Sequence, residues 1–114
     1  MSRSAIYIVD DDEGHATLAR MSLQDSGFTN PVHWFRNGQA VLAHVFGNPA
    51  EKPLAILLDL NMPGMRGTSV LQRLKNDERT SSIPVIVVTT SCLEREIEEC
   101  EALGCDHFMT KPAS

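Results

Sequence analysis

The sequence predicts an α/β fold in which five parallel strands alternate with four helices. Five short runs rich in Ile, Val, Leu and aromatic residues are typical of buried strands, and they lie at 5–9, 31–35, 54–60, 84–90 and 106–110. The segments between these runs carry apolar residues at helical spacing, with short polar joints. Strands joined by helices form right-handed crossovers, so they build a parallel sheet covered by helices.

The fourth helical pattern is the clearest, because its apolar residues recur at spacings of four, three and three: Leu93, Ile97, Cys100 and Leu103. Five glutamates lie elsewhere around this helix, which indicates a solvated face. Gly104 is expected to end the helix as its C-terminal cap. The other three patterns predict apolar faces made by Ala40, Val41, Val45 and Phe46, by Val70, Leu71 and Leu74, and by Leu18 with Met21.

The size and charge of the chain exclude several classes of protein. A length of 114 residues predicts one domain over 1–114, with one core. The net charge of −5 argues against a nucleic-acid-binding surface, which needs clustered Lys and Arg. No apolar run is long enough to span a membrane, and the start of the chain lacks the layout of a signal peptide. The three cysteines have no metal-ligand or CxxC spacing, so we expect a cytoplasmic protein with reduced thiols.

Polar side chains follow four of the predicted strands. Asp10 and Asp11 come after the first apolar run, and Asp59 lies in the third. Thr89 ends the fourth run and Lys111 follows the fifth. Open α/β sheets bind ligands just outside the carboxyl ends of their strands, so these groups can converge. Carboxylates, a hydroxyl and an ammonium at one edge predict a site for a divalent metal and a phosphoryl group.

The acidic cluster is expected to need a cation. Two carboxylates about 5 Å apart repel each other by about 3 kcal/mol at an effective dielectric of about 20. Mg²⁺ would offset this repulsion, since it takes carboxylate, water and phosphate oxygens as ligands. The backbone carbonyl of Asn61, two residues beyond Asp59, is a further candidate ligand. With a metal and Lys111 neutralising the transferring group, Asp59 can act as a nucleophile in phosphoryl transfer.

Four motifs in order, IVDDDE, LLDLNMPGMRG, PVIVVTTS and HFMTKP, resemble the receiver domain of two-component response regulators over nearly the whole chain. The resemblance implies a flavodoxin-like (βα)5 fold with strand order 2-1-3-4-5, whose final helix is missing from this chain. It implies that Asp59 accepts a phosphoryl group from a histidine kinase or a histidine phosphotransfer protein. It also implies that Asp10 and Asp11 hold Mg²⁺, with Asp11 the closer ligand, and that Asn61 adds its carbonyl.

The same resemblance implies which residues change conformation when Asp59 is phosphorylated. Thr89 and Lys111 would contact the phosphoryl group, and Phe108 would be the aromatic residue that repacks. The family usually has a cis peptide bond at Lys111–Pro112, although trans is the more frequent state of X-Pro bonds. The output would be contact with a downstream protein. The segments DLNMP and VVTTS are similar to those of stand-alone receivers that serve phytochrome-type kinases.

Several of these residues have a second possible role. Asp10 and Asp11 could cap the first helix, but Asp12 or Glu13 is better placed for that role. Thr90 is a rival for the role of Thr89. Four helices cannot cover both faces of the sheet evenly, so we expect exposed apolar surface, cover from a partner, or a homodimer.

The same residue types also occur in other classes of protein. We expect a receiver that catalyses its own phosphorylation, with weak autodephosphorylation, and not an enzyme acting on small molecules. The alternative is an aspartyl-nucleophile phosphatase or phosphotransferase of the haloacid dehalogenase type. That class needs a second carboxylate two positions after the nucleophile, where Asn61 stands. A flavodoxin-like FMN carrier would need a phosphate loop rich in Gly, Ser and Thr, where this chain has DDDEG.

Overall fold

The structure is a computed structural model that describes residues 4–90 and 93–111. Its elements alternate strictly between strand and helix, which confirms the predicted fold class. In chain order they are β1 (Ile6–Val9), α1 (Glu13–Asp25), β2 (Val32–Phe35), α2 (Gly38–Gly47), β3 (Ala55–Asp59), α3 (Gly67–Lys75), β4 (Val85–Thr89), α4 (Glu94–Ala102) and β5 (His107–Thr110).

The five strands form one parallel sheet in the order β2-β1-β3-β4-β5, so the expected order 2-1-3-4-5 is confirmed. The register brings the carboxyl ends of the central strands to one level. Val9 at the end of β1 pairs with Leu58, and Asp59 pairs with Val88. The residues that follow β1 therefore lie beside the ends of β3 and β4.

The main core lies on one face of the sheet, beneath α2, α3 and α4. Right-handed crossovers place these three helices on the same face, because the chain moves in one direction across the sheet from β2 through β5. Alternate strand residues point into this core, as the two-residue repeat of a strand requires. The strand members are Tyr7, Val9, Ile56, Leu58, Val85 and Val87, and the helix members include Val41, Val45, Val70, Leu71, Leu74 and Cys100.

The opposite face carries α1, since the chain moves the other way from β1 to β2. The prediction that Leu18 and Met21 form the core-facing side of this helix is wrong, because they are 50% and 52% exposed. The helix instead turns the small Ala16 toward the protein interior. Met109 of β5 is 48% exposed. In the part of the chain that the structure describes, this face is therefore the less covered of the two.

The helix ends follow the local signals of the sequence. Asp12 caps α1, with its Oδ1 accepting a hydrogen bond from the backbone N of His15 at 3.0 Å. After α4, Gly104 has a φ of 93°, and the N–H of Cys105 bonds to the carbonyl of Cys100 at 3.0 Å. This is the Schellman arrangement that needs a left-handed residue after the helix, so the predicted role of Gly104 is confirmed.

Within residues 4–90 and 93–111, every helix is too short or too polar to cross a bilayer.

Candidate functional site

The three predicted carboxylates converge at the carboxyl edge of the sheet. Asp10, Asp11 and Asp59 each offer an oxygen, and these oxygens all lie within 4.8 Å of one another. Asp10 and Asp59 are buried, whereas Asp11 is exposed. The cause is the register of β1 and β3, which sets the residue after Val9 beside the end of β3. The structure therefore brings together groups that lie 49 residues apart in sequence.

Asp59 lies in an environment that disfavours its charge. Burial raises the pKa of Asp59 and is the largest influence on it. The hydrogen bond that Asn61 N donates to Asp59 Oδ1 at 3.1 Å lowers this pKa, as does the charge of Lys111, whereas Asp10 and Asp11 raise it. The net shift is upward. The carboxyl edge is thus short of positive charge, which a bound cation would supply.

The carboxylate oxygens form a donor set suited to a hard divalent cation. Mg²⁺ holds oxygen ligands at about 2.1 Å in an octahedron, so two opposite ligands are about 4.2 Å apart. The 4.8 Å limit on the three oxygens is close to this span, so the three carboxylates lie on the scale of one coordination shell. Neither a thiol nor an imidazole belongs to this group of three, so the site favours Mg²⁺ or Mn²⁺ over zinc.

Lys111 lies in the same cluster but nearer to Asp10 than to Asp59. Its Nζ is 2.6 Å from Asp10 Oδ2 and 3.6 Å from Asp59 Oδ2. The Lys111 side chain is 9% exposed, so this ion pair is largely shielded from water. The backbone N of Lys111 donates to the carbonyl of Thr89 at 2.6 Å, which ties the end of β5 to the end of β4. The ammonium is therefore within reach of the nucleophile, and its closest partner is the neighbouring carboxylate.

His15 completes the surroundings of the ammonium, and the sequence analysis did not identify it. Its Nδ1 lies 3.0 Å from Lys111 Nζ. His15 is the third residue after the cap Asp12, whose own N–H donates to Asp10 Oδ1 at 2.9 Å. The sequence did contain a signal for His15. This histidine lies in the first turn of a helix that directly follows the acidic end of a strand. The direction of its ring could not be read from that spacing.

Thr89 and Asn61 are joined by their side chains. Asn61 Nδ2 donates to Thr89 Oγ1 at 3.0 Å. Thr89 is fully buried, whereas its rival Thr90 is exposed. The register places Thr89 one residue beyond Val88, the partner of Asp59. The hydroxyl at this edge of the sheet is therefore that of Thr89.

Phe108 is half-buried against the main core and pairs with Val87 in the sheet. Its ring packs against the main core, on the face of the sheet that α2, α3 and α4 cover. The expected cis bond at Lys111–Pro112 lies outside the described residues, as does Ser91 next to Thr90.

The turn after β3 brings α3 close to the site. Gly64 in this turn has a φ of 82°, a left-handed conformation that favours glycine. A Cβ on Gly67 would lie 2.4 Å from the carbonyl oxygen of Asp59. Only a glycine allows this approach, which sets the first residue of α3 directly against the end of β3. Gly67 is a second site-forming residue that the sequence analysis did not identify.

Sequence comparison relates the chain to one family of proteins. The family model of the response regulator receiver domain matches residues 6–114. The probable methanogenesis regulatory protein FilR2 of Methanothrix harundinacea is 33% identical over 112 residues, which cover 96% of this chain and 72% of FilR2. The chemotaxis protein CheY of Pseudomonas aeruginosa is 31% identical over 94% of this chain and 83% of CheY. The chain spans only 42% of the longer transcriptional regulator RpaA of Synechocystis.

Solved structures of receivers have the same fold. A response regulator receiver domain from Rhodospirillum rubrum has a TM-score of 0.90 and 33% identity, over 96% of this chain and 82% of that one. The phosphorylated cyanobacterial phytochrome response regulator RcpA has a TM-score of 0.89 and 31% identity, over 99% and 84%. The Mn²⁺-bound form of response regulator Rcp1 has a TM-score of 0.88 and 28% identity, over 98% and 84%. The chain belongs to the response regulator receiver domain family, and it is a signalling module of the two-component type.

Proposed function

We propose that Asp59 accepts a phosphoryl group from the phosphohistidine of a sensor histidine kinase or histidine phosphotransfer protein. The single observation that carries this proposal is the buried Asp59 carboxylate, which shares the carboxyl edge of the sheet with Asp10, Asp11 and the Lys111 ammonium. The transfer forms a bond between an Asp59 oxygen and phosphorus as the phosphorus–nitrogen bond breaks. The electron pair stays on the ring nitrogen of the donor, and because the other ring nitrogen carries a proton during the transfer, the donor leaves as neutral imidazole. We infer that the chain catalyses this step on itself and also hydrolyses the product slowly.

The metal of this site is proposed to be Mg²⁺, held by Asp10, Asp11, Asp59 and the backbone carbonyl of Asn61. Its chemistry would be to neutralise the oxygens of the transferring group and of the carboxylates around it. Support comes from the spacing of the three carboxylate oxygens and from the raised pKa of Asp59. The exposed Asp11 lies at the open side of the cluster, in agreement with its expected role as the closer ligand.

The switch is proposed to run from Asp59 through Thr89 and Lys111 to Phe108. Phosphorylation replaces the single negative charge of the Asp59 carboxylate with the nearly two charges of an acyl phosphate, a net gain of about one negative charge at the end of β3. The Lys111 ammonium can then move from Asp10 toward the phosphoryl oxygens, and Thr89 can exchange its contact with Asn61 for one with the same group. Because Lys111 N is bonded to the Thr89 carbonyl, the ends of β4 and β5 shift together. Phe108, half-buried against the main core, would transmit this shift to a protein-binding face.

The partners are proposed to be a phytochrome-type histidine kinase upstream and a protein target downstream. Support comes from the similarity to RcpA, a cyanobacterial phytochrome response regulator. The expected compartment is the cytoplasm, where Cys100 and Cys105, both unpaired in the structure, would remain reduced. Phosphotransfer from a panel of purified histidine kinases of the source organism tests the upstream partner, and preferential transfer from a kinase of another class would contradict it.

The alternative of a small-molecule phosphatase has no support. The matched relatives named above are regulators or receivers, and position 61 holds an amide that is bonded to Thr89. An amide does not transfer protons as a general acid or base, so the second step of such an enzyme would lack its catalyst.

The test is labelling of the purified chain by acetyl phosphate with Mg²⁺, followed by intact-mass and peptide mass spectrometry. We expect the wild type to gain one phosphoryl group on Asp59, and Asp59→Asn to gain none. Asp25→Asn is the matched control, because it removes an exposed carboxylate at the end of α1, and it should be labelled normally. Labelling of Asp59→Asn at the wild-type rate would refute the assignment.

A further inference from the structure

Among the residues that the structure describes, the Lys111 ammonium has two short contacts, and both are on the side of the site formed by β1 and α1. They join Nζ to Asp10 Oδ2 at 2.6 Å and to His15 Nδ1 at 3.0 Å. Asp59 Oδ2 lies at 3.6 Å, beyond the range of a hydrogen bond. The ammonium is thus held away from the residue that it is proposed to serve.

The contact with His15 has a defined direction. A lysine ammonium can only donate, so Nδ1 of His15 must supply its lone pair and the ring proton must be on Nε2. The ring is attached to a well-anchored turn, since His15 N bonds to Asp12 Oδ1 at 3.0 Å and Asp12 N bonds to Asp10 Oδ1 at 2.9 Å. His15 and Asp10 therefore present two acceptors to the ammonium from one rigid unit.

We propose that His15 is a positioning residue for Lys111, which holds the ammonium against Asp10 and so restrains phosphorylation of Asp59. The inference rests on the proposed function. The buried ammonium would lose one acceptor if the Nδ1 lone pair were removed, and the nearest other carboxylate oxygen is Asp59 Oδ2. The ammonium would then shift toward Asp59, where it neutralises the transferring group. The hydrogen bond to His15 opposes this movement of the ammonium toward Asp59.

The first test compares crystal structures of metal-free His15→Leu and His15→Asn. Leucine has a similar branched shape without an acceptor, whereas the Oδ1 of asparagine replaces Nδ1. In His15→Leu we expect Lys111 Nζ at about 3 Å from Asp59 Oδ2, within hydrogen-bond range. In His15→Asn the ammonium should stay with Asp10 and the new side chain. A Leu variant that keeps the longer separation from Asp59 would overturn the proposal.

The second test measures the rate constant of phosphorylation by acetyl phosphate and Mg²⁺. His15→Leu should raise it about fivefold, as expected when a charged hydrogen bond of the resting state is removed. His15→Asn should remain within about twofold of wild type. Thr17→Leu is the matched control, since it places the same side chain at an exposed position of α1.

A double-mutant cycle separates positioning from a general effect on the helix. In a Lys111→Met background, His15→Leu should leave the rate unchanged, because no ammonium remains to be released. An acceleration that persists without Lys111 would refute the positioning role. The crystallographic comparison needs no phosphoryl donor. Failure of labelling in every variant would therefore count against the proposed function alone.

Discussion

Removing the charge of Asp59 should stabilise the metal-free protein. The carboxylate is buried, and the oxygens of Asp10 and Asp11 lie within 4.8 Å of it. At an effective dielectric of about 20, each of these repulsions costs about 3.5 kcal/mol. The attraction to Lys111 Nζ at 3.6 Å contributes about 4.6 kcal/mol on the same scale. Repulsion therefore exceeds attraction by about 2 kcal/mol, and it adds to burial, the largest cause of the raised pKa of Asp59.

The assay is thermal unfolding of wild type and Asp59→Asn in a chelator at pH 7. A gain of 1–2 kcal/mol corresponds to a rise in Tm of about 4–8 °C for a chain of this size. The amide keeps an oxygen that can accept the hydrogen bond from Asn61 N, so the backbone contact survives. Asp25→Asn removes an exposed charge and should change stability by less than about 0.5 kcal/mol.

The stability difference between wild type and Asp59→Asn should depend on pH and on bound metal. Because the pKa of Asp59 is raised in the folded state, its charge destabilises the fold above that pKa and has no effect below the pKa of the unfolded chain. The advantage of Asp59→Asn should thus shrink as the pH falls through this window. Mg²⁺ at about 100 times its dissociation constant would add about 2.7 kcal/mol to the wild type and reverse the order. A lower Tm for Asp59→Asn in chelator would contradict the repulsion argument.

Three further changes test the fold around the site. Gly67→Ala should destabilise the protein by about 2 kcal/mol, because its Cβ would lie 2.4 Å from a backbone oxygen. Gly47→Ala is the control, since a Cβ at Gly47 meets open space. Chemical denaturation compares the two variants, and equal losses of stability would refute the close-packing argument. Asp12→Ala should lower the Tm through loss of the α1 cap, and no change in Tm would show that the cap is unimportant. Because Leu18 and Met21 are exposed, the chain should self-associate as its concentration rises, which sedimentation velocity measures. Leu18→Glu and Met21→Glu should weaken this association. A strict monomer from micromolar to millimolar concentration would contradict the prediction.

Local patterns in the sequence determined much of this protein. The alternation of strand and helix, the cap at Asp12 and the left-handed Gly104 each depend on a few neighbouring residues. The meeting of Asp10 with Asp59 also follows from a general rule, since the ends of neighbouring parallel strands share one edge of a sheet. Such features need only backbone geometry and the period of the side chains, so they could be predicted.

The tertiary structure alone decided which groups touch. The preference of Lys111 for Asp10 over Asp59 is a difference of 1.0 Å, and its contact with His15 joins residues 96 positions apart. The exposure of Leu18 likewise depends on what covers its helix and not on the spacing of apolar residues. Side-chain contacts are set by how the elements pack and cross. A shift of one ångström changes the partner of a charge while leaving every local pattern intact.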